Sequence, residues 1–229
     1  MTEQMRRHEH DHEIPWSLPI VVRRSKTRLS RHIDVLEATA RAVVTFLDDS
    51  RAQPGGEWYE ALEHWRDGAI RKVVRRGDGK QFADAQALGC ITVTHGGTDD
   101  CAPAEVLVFP PGPVRPLPRE LAKLQVGGTE FPDEGESATP VAEAVVTIEV
   151  TPLETLTTGK AAAQCGHAAQ LAYEQMPAEV RARWRDSGFS TRVVTATRES
   201  WAVNARPVSV TDAGFTEVDG PTETTRAWW

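Results

Sequence analysis

The apolar positions of this chain follow two alternating periods. LPIVVRR at 18–24 and AVVTIEV at 144–150 are short apolar runs of strand type. Each leads into a stretch with helical spacing. In the first, Ile33, Leu36, Ala40, Val43, Val44 and Leu47 share a face. In the second, Ala161, Ala162, Cys165, Ala168, Ala169 and Ala172 do. The second face is built of small residues, which lets a helix sit close to a sheet. Trp65-Arg66-Asp67 and Trp184-Arg185-Asp186 come next, each soon followed by a glycine. Val73-Val74 then matches Val193-Val194, one residue out of step with the tryptophans. Ile91-Thr92-Val93-Thr94-His95-Gly96-Gly97 matches Val208-Ser209-Val210-Thr211-Asp212-Ala213-Gly214. Strands and helices alternate in the same order twice. The pattern predicts an α/β protein of two similar domains, each a mixed sheet of about four strands flanked by helices. If the ancestral unit was a homodimer, a tandem copy reproduces that dimer within one chain.

The stretch GTEFPDEGESATPVA at 128–142 breaks both periods and has the composition of a linker. The expected organisation is a disordered tail at 1–13, one domain at 14–127, the linker at 128–142 and a second domain at 143–229. No apolar run has the ~18 residues of a membrane span, and the first residues lack the apolar core of a signal peptide. A soluble, cytoplasmic protein is expected. The three cysteines, Cys90, Cys101 and Cys165, form no C-x-x-C pair. Neither a disulfide framework nor a structural zinc site is expected. His8, His10 and His12 are read as part of the polar tail. The net charge of −7 argues against an extensive nucleic-acid surface and leaves room for a local one.

Candidate chemistry concentrates in TTGKAAAQCGHAAQLAY at 157–173. Helical spacing puts Lys160, Gln164 and His167 on one face. A lysine in the first turn is badly placed for the helix dipole, which favours anions there. Lys160 is therefore read as a contact to a phosphate or carboxylate rather than as a surface lysine. The segment is not a P-loop, because Glu154 and Ala161 stand where that motif needs Gly and a hydroxyl. Cys165 has no base placed beside it and is read as core.

The run GKAAAQCGHAA resembles the signature of type 2 peptidyl-tRNA hydrolases. Val210-Thr211-Asp212-Ala213-Gly214-Phe215-Thr216 is similar to a second motif of that family, in the right order downstream. The resemblance covers nearly all of 143–229 and, more faintly, 18–127. It implies hydrolysis of the ester joining a peptide to the 3′ ribose of tRNA, with the tRNA acceptor end as partner, no cofactor, no metal and no membrane. It implies Lys160, Asp212 and Thr216 as catalytic residues, and Gln164, His167 and Thr224 as substrate-binding. Ester cleavage needs an activated water and a stabilised oxyanion. Asp212 would serve the first need, Lys160 and the Thr216 hydroxyl the second.

The family pattern is broken at Phe215 and Glu217, where Arg and Gln usually stand. The chain stops at Trp228-Trp229, before the usual last strand, so the C-terminal sheet is expected to lack an edge strand or to borrow cover from the other half. Leu121-Ala122-Lys123-Leu124-Gln125 is a candidate for that strand in the N-terminal half. In the first copy Glu37, Ala40 and His95 face Gln164, His167 and Asp212, so that copy is degenerate and is read as a scaffold completing an intramolecular pseudo-dimer, monomeric as a chain. Arg71, Lys72, Arg75 and Arg76, with Arg23, Arg24 and Lys26, are read as RNA contacts or as a solvated strand edge. The departures also fit a second reading, a catalytically inactive member acting as an RNA-binding or protein-interaction module.

Overall fold

The computed structural model describes residues 14–132, 135–212 and 221–229. The N-terminal half runs β1 (Trp16–Arg23), α1 (His32–Asp48), α2 (Tyr59–Asp67), β2 (Arg71–Gly77), α3 (Gly79–Gln86), β3 (Ile91–His95), β4 (Ala104–Val108), β5 (Gly112–Pro113) and α4 (Arg119–Ala122). The C-terminal half runs β6 (Val146–Val150), α5 (Thr158–Gln175), α6 (Ala178–Asp186), β7 (Thr191–Thr195), α7 (Arg198–Val203), β8 (Val208–Asp212) and β9 (Thr222–Trp228).

The first sheet has the order β2-β1-β4-β3, with β5 added on β1, and the second has β7-β6-β9-β8. In each, the first pair is parallel and the other two are antiparallel. The register matches through the central rows. Val74, Ile20, Val108 and Ile91 form one row across the first sheet. Val193, Ile148, Ala227 and Val208 form the same row in the second. The buried tryptophans repeat as well: Trp65 Nε1 donates to Arg71 O at 3.0 Å, and Trp184 Nε1 to Ser190 O at 3.1 Å. Val74 is thus the counterpart of Val193, and Lys72 of Thr191. The one-residue slip read between the valine pairs is not present. Matching by residue type crossed the alternation of a strand, where neighbours face opposite sides.

The long helices α1 and α5 pack together between the sheets. α1 lies on β3 and β4 and reaches β7, while α5 lies on β6, β8 and β9 and reaches β2. Helices enclosed this way are buried nearly all round. One apolar core runs through both halves, from Leu18 and Ile20 through Val43 and Ala169 to Ile148 and Val193. Small residues set the helix spacing: a Cβ on Gly166 would lie 3.2 Å from Val43 Cγ2 and from Lys72 Cδ. The outer face of the first sheet is covered by Phe82, Ala85, Leu121 and Leu124 around Val21 and Leu107. The outer face of the second is covered by aromatic–cation contacts, Arg226 on Trp201 at 3.9 Å and Arg206 on Trp228 at 3.8 Å.

Three expectations change. The stretch Leu121–Gln125 is not a strand but the end of α4 and a turn, with Leu121 and Leu124 buried and Gln125 alone bridged to Arg76 at the edge of β2. β9, which closes the chain, is an interior strand between β6 and β8, so the second sheet has its four strands. The basic residues of β2 are largely taken up by the chain itself: Arg75 donates to Leu124 O, Arg76 to Gly127 O and Gln125, and Lys72 is buried. Likewise Arg23 pairs with Glu105, and Arg24 donates to Glu130 O.

The connecting stretch is packed across the helix starts. Thr129 O accepts from Gly159 N at 3.0 Å, Phe131 N donates to Thr158 Oγ1 at 3.1 Å, and Pro132 O accepts from His32 N at 2.7 Å. The free N–H groups that open both α1 and α5 find partners here. No described helix is long and apolar enough to cross a membrane.

Candidate active site

α5 starts after Thr157, whose hydroxyl accepts from Lys160 N at 3.3 Å. One turn on, Gln164 is almost fully buried, and His167 lies three residues further along the same face. β8 ends at Asp212, facing that helix. Lys160 Nζ lies 2.5 Å from Asp212 Oδ2, and Gln164 Nε2 donates to the same oxygen at 2.7 Å. The Lys160 and Asp212 side chains are 15% and 11% exposed, so the pair is sheltered yet touches solvent. The carboxylate that Lys160 meets in the structure is the protein's own, that of Asp212.

Gln164 is held from behind by β9. Between Val210 and Thr211 the register of β8 and β9 shifts, leaving Thr224 as an extra residue. This bulge lets two successive threonines face the same helix, which a regular strand forbids. Thr224 Oγ1 donates to Gln164 Oε1 at 2.9 Å, and Thr225 Oγ1 to Gln164 O at 3.1 Å. Thr224 therefore stands behind the amide as its support. In the first half, β3 and β4 pair without a break from Ile91–Val108 to His95–Ala104.

These groups open onto a cleft of about 580 Å³ lined by Lys160, Gln164, His167, Asp212 and, from the other half, Ile70 and Lys72 among others. That size and its mostly apolar walls with a few converging polar groups suit a small-molecule or peptide moiety. Lys72 was placed by sequence among surface basic residues. Instead its Nζ donates to Gln170 Oε1 at 2.5 Å and lies 3.3 Å from His167 Nδ1. Burial pushes its ammonium down to about 7. His167 is held well below the ordinary imidazole range, first by burial and then by Lys72 and Lys160. Burial also pushes the Cys165 thiol up, in keeping with a core residue. Thr216 lies outside the described residues, as do Gly214, Phe215 and Glu217. Among the described residues no group of three or more His, Cys, Asp or Glu is placed to hold a metal.

The equivalent position in the first half is closed. Glu37 replaces Gln164 and His95 replaces Asp212, and the two still meet, at 2.6 Å. Arg41 Nη1 lies 2.6 Å from His95 Nδ1. Guanidinium only donates, so Nδ1 accepts and Nε2–H points at Glu37. Glu37 also accepts from Val193 N at 2.9 Å, from Thr139 Oγ1 at 3.2 Å and from Ser137 Oγ. Arg41 Nε reaches Phe189 O at 3.1 Å. The connecting residues Ser137 and Thr139 therefore sit over the first half's counterpart of the cleft. Comparison with protein-family models, curated proteins and solved structures gives no match to this chain.

Proposed function

We propose that the chain hydrolyses the ester between peptide and tRNA in peptidyl-tRNA, releasing tRNA, with both halves forming one intramolecular pseudo-dimer. The observation that carries this reading is the meeting of Lys160, Gln164 and Asp212 at an open cleft whose counterpart is closed. Asp212 orients the attacking water, draws off its proton as the oxygen bonds to the acyl carbon, and returns it to the ribose 3′ oxygen as the ester C–O bond breaks. Lys160 faces the charge that develops on the ester carbonyl. Gln164, backed by Thr224, holds the carboxylate in place. The apolar walls receive the acyl-peptide side chains. A second reading, a non-catalytic protein-interaction module, is favoured by the net charge of −7 and by the hydrogen bonds that Arg75 and Arg76 make to carbonyls of the chain itself.

The test is release of peptide from a purified peptidyl-tRNA. Asp212→Asn and Lys160→Ala are expected to lower turnover by about 10²-fold or more, with melting still cooperative. Full turnover in both variants would remove these residues from the chemistry, and absence of cleavage by the unaltered protein would favour the interaction module.

A further inference from the structure

Lys72 belongs to the first half, yet its ammonium works against a helix of the second. It is 8% exposed as a residue, and its stem runs beside Gly166, where a Cβ would come within 3.2 Å of Cδ. The Trp65 ring lies 4.9 Å from Nζ. Gln170 is oriented to receive it, because its Nε2 donates to Glu174 Oε1 at 3.0 Å and so leaves Oε1 facing the lysine. Glu174 is itself held 3.4 Å from Arg66. This chain of contacts fixes Nζ beside His167 Nδ1. An ammonium has protons and no lone pair, so Nδ1 accepts and the ring proton sits on Nε2.

We propose that Lys72 is a positioning residue that reaches across the two halves and sets His167 as an Nε2–H donor to a carbonyl oxygen of the substrate's acyl chain. The proposal rests on the hydrolase reading of the cleft. A neutral donor suits a carbonyl better than a phosphate, and two neighbouring cations, Lys72 and Lys160, oppose a second proton on the ring. The charged groups acting on Lys72 are Arg66 on α2 and Glu174 on α5, while Lys160 in the first turn of α5 acts on His167. Glu174 favours the ammonium, Arg66 opposes it, and burial outweighs both. Once Lys72 loses its proton the amine can accept as well as donate, and the choice between the two imidazole tautomers is released.

The experiment is ¹⁵N NMR of the His167 ring in the intact chain, alongside the pH profile of peptidyl-tRNA cleavage. In the unaltered protein the ring is expected to carry its proton on Nε2 at pH 6 and to move toward a mixture of tautomers as pH rises through about 7. Lys72→Met should give the mixture at every pH and lower kcat/KM about tenfold. Lys72→Arg, which keeps its charge, should retain the Nε2–H form across the range. An unchanged His167 spectrum in Lys72→Met overturns the proposal. Should that variant not fold, Gln170→Leu, which removes the lysine's anchor, gives the same reading. If the unaltered protein does not cleave peptidyl-tRNA, the hydrolase reading falls, while the ring spectrum alone still decides whether Lys72 sets His167.

Discussion

The Thr224 hydroxyl donates to Gln164 Oε1 at 2.9 Å, and so decides which end of the amide meets Asp212. With Oε1 turned toward Thr224, Nε2 is left to donate to the carboxylate. A flipped amide would bring two acceptors together. Thr224→Val keeps the shape and removes the donor. It is expected to cost about 1 kcal/mol of stability and to lower kcat for peptidyl-tRNA about tenfold, whereas Thr224→Ser retains both. Equal kcat in the Val and Ser variants would mean that the bulge has no part in the site.

Gly166 pits two effects of similar size against each other. Alanine in a helix interior gains about 1 kcal/mol over glycine. Overpacking a filled site costs about 1–3 kcal/mol. Both neighbours of the new Cβ, Val43 Cγ2 and Lys72 Cδ at 3.2 Å, belong to buried residues that have little room to give. Overpacking should prevail: Gly166→Ala is expected to lose about 1 kcal/mol in urea unfolding, and Gly166→Val substantially more. A stabilised alanine variant would show that the two helices can part.

Stability should rise with pH over two windows. Lys72 holds its proton less tightly folded, at about 7, than at its ordinary 10.5. Between those values the unfolded chain binds the extra proton, so unfolding grows harder as pH climbs. His167 acts in the same sense below 6.5, where the unfolded ring takes a proton that the buried one refuses. Each group contributes a slope of at most about 1.4 kcal/mol per pH unit. Urea unfolding of Lys72→Met should lose the rise above pH 7 and keep the fall below 6.5.

Closure over Glu37 is expected to serve stability alone. Ser137→Ala with Thr139→Val removes two donors from a fully buried carboxylate, at about 1–3 kcal/mol each. The melting temperature should drop while cleavage at 25 °C stays as before. A change in KM would tie this region to the open cleft instead.

Periodicity made much of this legible. The repeated order of strands and helices reads directly from the apolar pattern, and the spacing of Lys160, Gln164 and His167 reads as one helix face because helical period fixes it. Three features did not read. The role of Thr224 depends on one extra residue in a strand pair, which leaves no mark on composition. Lys72 looked like surface because it sits in a run of charge, although strand alternation aims alternate members of such a run inward. The stretch 129–139 looked loose because its Pro, Gly and acids suit a linker, yet its Thr and Ser hydroxyls and carbonyls find partners only once two distant helix ends are brought together. Strand order across a sheet is likewise not chain order, which is why the last strand lies inside.

The residues laid over Glu37 also set a stoichiometry. A symmetric dimer of separate subunits offers two equivalent clefts, and a ligand titration counts two. Here the join between the halves fills one of them with the chain's own Ser137 and Thr139. Equivalence is lost by the same stroke that links the halves, and saturation at the open cleft is expected at one ligand per chain.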